Sequence, residues 1–172
     1  MLRPFKSAYP QVNSSAFVDD SAQVIGDVAI GEESSVWMNA VLRGDVNSIR
    51  IGRQTSIQDG TVVHVNHTPS HPTVVGDQVT VGHGVILHGC TVEDRCLIGM
   101  GAILLNGCHI GSESIVAAGT LVPERVTIPP RSLVMGSPAR VKRPLTDEEV
   151  AGLDRYWQNY VEYSAVYLRE WP

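Results

Sequence analysis

The sequence predicts a solenoid of short, stacked β-strands followed by a C-terminal α-helix. Three observations predict this fold class. A branched aliphatic residue recurs at every sixth position over most of the chain, a mostly small residue stands four positions after it, and beyond Val134 the period changes to helical spacing. A short strand cannot bury its apolar face alone, but coils stacked about 4.8 Å apart bury a continuous column of aliphatic side chains. We therefore expect residues 1–139 to form the solenoid, with the linker and helix of residues 140–172 packed on it as one structural unit.

The six-residue period holds from Val12 to Val134 with few interruptions. Three extra residues follow Leu42, and the hexad before Val92 is one residue short. An isolated match means little, but a long series in phase is the mark of a repeat architecture. The marked positions are Val12, Val18, Val24, Ile30, Val36, Leu42, Ile51, Ile57, Val63, Val75, Val81, Leu87, Val92, Ile98, Leu104, Ile110, Val116, Val122, Ile128 and Val134.

This repeat resembles that of the hexapeptide-repeat left-handed parallel β-helix. The resemblance implies a left-handed, triangular prism with three hexads per coil, and therefore between six and seven coils. The six-residue period by itself indicates only coiled strands.

The C-terminal segment TDEEVAGLDRYWQNYVEYSAVYLREW predicts a helix over residues 146–169. Thr146 and Glu149 form the pattern of a capping box. An apolar and aromatic stripe at helical spacing should lie along a flat face of the solenoid. The stripe consists of Val150, Leu153, Trp157, Tyr160, Val161, Ser164 and Leu168. Pro138 and Pro144 make the preceding MGSPARVKRP an irregular linker.

Composition excludes several classes of function. The net charge is −5 without a Lys/Arg cluster, so we expect no nucleic-acid partner and no anionic membrane surface. No apolar run approaches the ~18–20 residues of a membrane span, and MLRPFKSAYP lacks a signal-peptide pattern, so we expect a cytoplasmic protein. The 3 cysteines contain no CxxC motif, which argues against a disulfide framework and a thiolate zinc site.

Two histidines fall at matched positions of the repeat. His64 and His88 each follow a mark of the third column, and they are separated by one hexad more than a full coil. If HVNHTPSHPT, with Pro69 and Pro72, loops out, the two histidines stack on adjacent coils within reach of one metal ion. Arg43 lies one coil away on the same face.

His83 belongs to another column and therefore to another face. Five extended residues span roughly 16 Å, far more than a Zn–N bond of about 2.0–2.1 Å. A corner could shorten that path, but the simpler solution is that His83 serves a site with a neighbouring subunit. A three-fold assembly would form three such clefts.

More ordinary roles stand beside this hypothesis. A single solenoid histidine is usually a hydrogen-bonded surface residue, and we assign that role to His67, His71 and His109. A surface ion-pair network at a subunit interface is the alternative for Arg43 and Asp45. The face of the matched histidines should also carry Arg43, Asp45, Gln58 and Asp59. Because polar groups clustered on one patch are costly unless paired or used, this cluster favours a site.

The segments RGDVNSIRIG, SIQDGTVVH and TVGHGVILHGC resemble the γ-class carbonic anhydrase family, including its short-loop homologues. The resemblance covers nearly the whole chain. It implies a homotrimer with zinc bound by His64, His83 and His88, the middle ligand being donated across the subunit interface. It also implies roles for five further residues. Gln58 would hydrogen-bond the metal-bound water or bicarbonate, Asp59 would support it, Arg43 and Asp45 would pair across subunits, and Tyr160 would lie near the pocket.

The activity implied by the resemblance is that of a zinc-dependent lyase, the reversible hydration of CO2 to bicarbonate. Fe²⁺ or Co²⁺ suits an all-imidazole site as well as Zn²⁺ does. The chain departs from the family pattern at Ser56, where an amide side chain is expected, and in VNHTPSHP, which lacks a shuttle glutamate. His67 or His71 could carry protons in its place. The alternatives are an acyl-CoA transferase or thioesterase on the same scaffold and a non-catalytic metal-binding protein.

Overall fold

The fold is a parallel β-helix with a C-terminal helical segment, as the sequence predicts. It was established from a computed structural model, which describes residues 1–67 and 71–170. The aliphatic marks stack in three columns in the predicted order. Val24 is in register with Leu42, Leu42 with Val63, Val63 with Leu87, Leu87 with Leu104 and Leu104 with Val122. Successive coils therefore present the same positions to the interior, and the solenoid has about seven turns.

The strands are short, and most cover one side of one coil. They are β1 (Leu2–Arg3), β2 (Gln11–Val12), β3 (Phe17–Val18), β4 (Gln23–Ile30), β5 (Ser35–Val36), β6 (Val41–Ile51), β7 (Ser56–Ile57), β8 (Val62–His64), β9 (Thr73–Val75), β10 (Thr80–Val81), β11 (Ile86–His88), β12 (Thr91–Val92), β13 (Leu97–Ile98), β14 (Ile103–Leu104), β15 (His109–Ile110), β16 (Ile115–Val116), β17 (Leu121–Val122), β18 (Thr127–Ile128), β19 (Ser132–Met135) and β20 (Arg140–Pro144).

The strands form two sheets. The larger joins two sides of the prism through β6, in the order β17-β14-β11-β8-β6-β9-β12-β15-β18, with β4 also paired to β6. The smaller follows the order β20-β19-β16-β13-β10-β7-β5-β3 and forms the third side. We call this smaller sheet the helix face, because α2 packs against it.

The three extra residues after Leu42 form a bulge in the long strand β6. Gly26 of β4 is in register with Gly44, and the next register pair is Val28 with Ile49. Asp27 alone therefore faces the segment Asp45–Ser48, which bends the strand outward at the corner. The bulge places Asp45 beside the coil that carries His64.

Aliphatic side chains fill the interior, and small residues occupy its corners, as the repeat predicts. All three cysteines are buried and free. Burial raises the pKa of Cys96 to about 12. A hydrogen bond with Cys108 and burial raise the pKa of Cys90. These thiols therefore behave as small apolar groups of the core.

The C-terminal helix begins as predicted, but it is divided in two. Thr146 and Glu149 form the capping box, and α1 spans Asp147–Gly152. A turn at the buried Leu153 separates it from α2, Asp154–Glu170. Arg95 contacts both Asp154 and Glu113, and so ties the start of α2 to a corner of the solenoid.

The prediction that residues 135–144 form an irregular linker is wrong for Arg140–Pro144. These residues form β20, which pairs antiparallel with β19 at the end of the helix face. The last strand of a solenoid presents unpaired backbone groups, and β20 covers them. Pro144 is tolerated because it stands at the end of this edge strand.

The aromatic stripe of α2 packs on the helix face, and Leu168 at its end borders a groove beside Phe17 and Val18. Trp37 contacts Tyr160 and Tyr167 at ring-centroid distances of 5.4 and 5.3 Å, and Phe17 contacts Tyr167 at 5.3 Å. Leu168, which was assigned to the stripe, is 39% exposed. Tyr167, which was not assigned to the stripe, also points inward, and its ring contacts those of Phe17 and Trp37. Within the described chain, no helix is both long and apolar enough to span a bilayer.

Candidate metal centre

His64 and His88 lie side by side on adjacent coils. They end β8 and β11, which pair in parallel, and the two histidines are register partners. His64 Nδ1 and His88 Nε2 are 3.1 Å apart. Thr73 Oγ1 donates to the carbonyl of His64 at 2.6 Å, so the residues on the two sides of the intervening segment lie next to each other. Pro72 lies within the described part of this segment, whereas Pro69 lies outside the described residues.

The outer nitrogen of each ring meets a hydrogen-bond acceptor. His64 Nε2 lies 3.1 Å from Asp45 Oδ1, and His88 Nδ1 lies 2.8 Å from Asn106 Oδ1. A carboxylate oxygen and an amide oxygen only accept, so both outer nitrogens donate their protons. In the neutral rings, the two inner nitrogens then carry lone pairs that face each other. Facing lone pairs repel, and a cation between them removes that repulsion.

The electrostatics of His64 favour its neutral form. Burial lowers its pKa, and the charge of Arg43 lowers it further, against the raising effect of the Asp45 hydrogen bond. A neutral imidazole is the form that binds a metal ion.

Asp45 remains ionised beside this ring. Burial raises its pKa, but hydrogen bonds from Arg43 and His64 outweigh burial and hold the pKa below its ordinary value. Arg43 Nη1 donates to Asp45 Oδ2 of the same chain. This contact lies within one chain; the pairing across subunits that the resemblance implies stays a prediction.

His83 lies on the helix face, away from the other two histidines. Its side chain is 48% exposed, and its Nδ1 lies 2.9 Å from Asp59 Oδ2. It borders a groove of about 270 Å³ between α2 and the solenoid. The groove is lined mainly by apolar and small residues, and its other polar members are Gln58, Thr80, Tyr156 and Tyr160. Burial raises the pKa of Tyr160, and the negative charge of Asp59 adds to this effect.

The predicted site residues therefore form two groups in one chain. Arg43, Asp45, His64 and His88 lie on the larger sheet, and Gln58, Asp59, His83 and Tyr160 lie on or beside the helix face. The prediction that Gln58 and Asp59 share a face with His64 and His88 is wrong, because both follow β7 of the smaller sheet. Among the described residues of one chain, no cluster of three or more His, Cys, Asp or Glu side chains is placed to hold a metal ion.

The donor set of the first group fits a zinc ion. Two nitrogens bound to a tetrahedral zinc ion at about 2.0–2.1 Å are about 3.3 Å apart, close to the 3.1 Å between His64 Nδ1 and His88 Nε2. A third imidazole would complete the protein ligands and leave one position open.

Asn106, which contacts His88, was not among the predicted site residues. It stands two positions after the mark Leu104, at a corner, and only the fold brings it to the histidine. Ser56, where the family pattern has an amide, is buried under α2, and its hydroxyl has no hydrogen-bond partner among the described residues.

Comparisons with known proteins agree with this architecture. A family profile described as bacterial transferase hexapeptide (six repeats) matches residues 89–124. The chain is 48% identical over 165 residues to gamma carbonic anhydrase 1, mitochondrial, of Arabidopsis thaliana, with 94% of this chain and 60% of that protein covered. It therefore spans about 60% of the length of this plant relative.

Two further similarities cover nearly the whole of both chains. The carbonic anhydrase of Geobacillus kaustophilus is 44% identical over 167 residues, with 97% of this chain and 91% of the relative covered. The crystal structure of a hexapeptide transferase family protein from Anaplasma phagocytophilum has a TM-score of 0.92 at 40% identity, with 96% and 97% covered. Identity at this level over this length places the chain in the family that its sequence motifs predict: it belongs to the γ-carbonic anhydrase family of hexapeptide-repeat proteins.

Proposed function

We propose that the chain catalyses the reversible hydration of CO2 to bicarbonate as a metal-dependent homotrimer. Each site would combine His64 and His88 of one chain with His83 of the next. One observation carries the proposal: two imidazoles face each other at 3.1 Å, and the outer nitrogen of each lies within hydrogen-bond distance of an acceptor. The relatives named carbonic anhydrase support the same chemistry.

A zinc ion bound there would lower the pKa of a water molecule to about 7 and so supply hydroxide near neutral pH. Fe²⁺ or Co²⁺ suits the same ligands. Asp45 and Asn106 hold the two rings in the orientation that a metal requires, and Asp59 holds His83. These contacts spare the ligands the entropic cost of ordering when the metal binds.

The groove beside His83 provides the substrate surface. Its apolar walls suit CO2, which has no dipole moment, and Gln58 offers an amide to bicarbonate oxygens. Tyr160 remains protonated near neutral pH because its pKa is raised, so its hydroxyl is available as a donor. Arg43, at the other edge of the shared site, would attract the anionic product.

Two exposed apolar surfaces support the trimer. Val62 and Ile86 point outward from β8 and β11, beside His64 and His88, and are 40% and 38% exposed. Met100, beside the groove of His83, is 58% exposed. Since these surfaces differ, their contact is heterologous, and a heterologous contact that closes makes a ring. Three copies would close around a three-fold axis between the prisms and give three equal sites.

Proton export would use histidine in place of a glutamate. His71 packs over Gly107 beside Asn106, since a methyl group at Gly107 would lie 2.9 Å from His71 Nε2. This places an imidazole, a side chain that can carry protons, next to the site. His67, on the other side of the same segment, is the second candidate for proton transfer.

The cytoplasmic location of the protein stays a prediction.

The test is stopped-flow CO2 hydration at pH 7–9 by anaerobically purified protein with its metal quantified. We expect turnover that a chelator abolishes and Zn²⁺ restores, with loss of both metal and turnover in His88→Ala. His109→Ala is the matched control, because His109 pairs with Glu93 on another part of the surface.

Further assays on the same preparation distinguish the two alternative functions, an acyl-CoA enzyme and a non-catalytic metal-binding protein. Acyl-CoA hydrolysis or transfer without CO2 hydration would favour the acyl-CoA enzyme, a reaction type that the transferase name of the Anaplasma relative suggests. One metal per chain with neither reaction would favour the non-catalytic protein.

A further inference from the structure

A side chain from the next coil holds the outer nitrogen of His88. Asn106 follows β14, whose Leu104 is in register with Leu87, and its Oδ1 lies 2.8 Å from His88 Nδ1. Because the amide oxygen only accepts, this contact requires a proton on His88 Nδ1 and leaves Nε2 with a lone pair. That lone pair is the one directed at His64.

The orientation of the Asn106 amide is set in turn by Glu124. Asn106 Nδ2 donates to Glu124 Oε1 at 3.0 Å. Glu124 occupies the position of Asn106 one coil further on, since Leu104 is in register with Val122. A carboxylate only accepts, so the NH2 group must face Glu124 and the oxygen must face His88. With the amide reversed, its NH2 would donate to His88 Nδ1, and the ring proton would move to Nε2, where it blocks metal binding.

We infer that Asn106 and Glu124 are positioning residues that fix the tautomer of His88, so that Nε2 is free for a metal ion. The inference rests on the proposed function in so far as His88 is a ligand. Glu124 acts through Asn106, and Asn106 acts through His88; neither touches the substrate.

A second corner ladder in the same chain provides matched controls. Gln54 Nε2 donates to Glu33 Oε2 at 2.8 Å, and Gln78 Nε2 donates to Gln54 Oε1 at 3.0 Å. This ladder has the same carboxylate and amide groups, but in its described contacts it does not end on a histidine. Gln54→Leu and Glu33→Gln therefore match Asn106→Leu and Glu124→Gln in chemistry.

The experiment measures two properties of the full chain. One is the ring tautomer of His88, from ¹⁵N shifts of histidine-labelled, metal-free protein at pH 8.5. The other is Zn²⁺ affinity, from competition with a chelating dye.

We expect the Nδ1–H tautomer in the wild type. In Asn106→Leu, we expect a majority of the Nε2–H tautomer and a zinc affinity lower by about 10–100-fold. In Glu124→Gln, we expect a zinc affinity lower by about two- to fivefold, since the hydrogen bond between Asn106 and Glu124 is exposed to solvent. Gln54→Leu and Glu33→Gln should change neither property.

An Nε2–H tautomer in the wild type, or the same tautomer ratio in Asn106→Leu, would overturn the inference whether or not zinc binds. A wild type that binds no zinc, but whose His88 tautomer responds to Asn106→Leu, would overturn the proposed function and leave the inference standing.

The double variant Asn106→Asp/Glu124→Gln keeps the test decisive if Asn106→Leu does not fold. The new carboxylate accepts from His88 Nδ1–H, and the new amide donates to that carboxylate. We expect the Nδ1–H tautomer and near wild-type zinc affinity. Loss of that tautomer in a folded double variant would contradict the inference.

Discussion

At the scale of single residues, the candidate centre depends on which nitrogen of each imidazole carries the proton. Asp45 settles this for His64, as Asn106 does for His88. Both partners come from corners of the solenoid, where side chains leave the regular strand alternation. The histidines themselves were predictable, because the hexad count gives their column. Their partners were less so: the family resemblance indicates Asp45 as a site residue but not its contact with His64, because Asp45 lies in an insertion, and Asn106 lies at a corner that the period does not describe.

Asp45→Asn should weaken zinc binding by about 10–100-fold while the protein stays folded. The new amide can turn its NH2 toward His64 Nε2, which moves the ring proton to the nitrogen that faces His88. Zinc competition and circular dichroism measure the two parts of this expectation. Asp27→Asn is the control, since Asp27 is an exposed carboxylate that pairs with Arg50 outside the site. Equal zinc affinity in both variants would show that Asp45 does not orient His64.

At the scale of elements, the strands were more predictable than the segments that join or end them. Each hexad carries its own aliphatic residue and small corner residue, so local pattern and tertiary contact agree. The strand β20 was missed because it pairs with β19 at the open edge of the sheet. The position of that edge depends on the fold and has no signal in the local sequence. The division of the helix before Leu153 was also missed, although Gly152, at which α1 ends, is a local signal because glycine is unfavourable inside a helix.

The start of the C-terminal helix should show a pH-dependent stability. A hydrogen bond from Arg143, together with the capping box, lowers the pKa of Glu149 to about 2. A lowered folded-state pKa stabilises the fold above the ordinary value of 4.5, and this contribution disappears as the pH falls towards 2. Glu149→Gln, which resembles the protonated side chain, should therefore melt below the wild type at pH 7 and equal to it near pH 2. Thermal denaturation across this range measures the difference; a constant gap between the two proteins would contradict the assignment.

At the scale of the whole molecule, the two groups of site residues lie on different sides of one prism. A solenoid is rigid along its axis, so His83 cannot reach His64 and His88 by a local adjustment. The sequence indicates this separation through the column count, but the contact that joins the groups belongs to the assembly. That contact depends on outward-facing side chains such as Val62, Ile86 and Met100. The hexad period specifies the buried residues of each coil and does not specify which residues face outward.

Mixed trimers provide the sharpest test of the shared site. We expect His83→Ala and His88→Ala each to form trimers without a metal-loaded site. In a ring where each site takes His64 and His88 from one chain and His83 from the next, any trimer containing both variants has one intact site. Random reassembly of equal amounts makes about three quarters of the trimers mixed, so about a quarter of wild-type zinc and CO2 hydration should return. The control is a mixture of His88→Ala with His64→Ala. It should recover neither zinc binding nor CO2 hydration, because each site takes both of these histidines from the same chain. No recovery in the first mixture, with reassembly verified by mass spectrometry, would show that the three histidines do not meet across the interface.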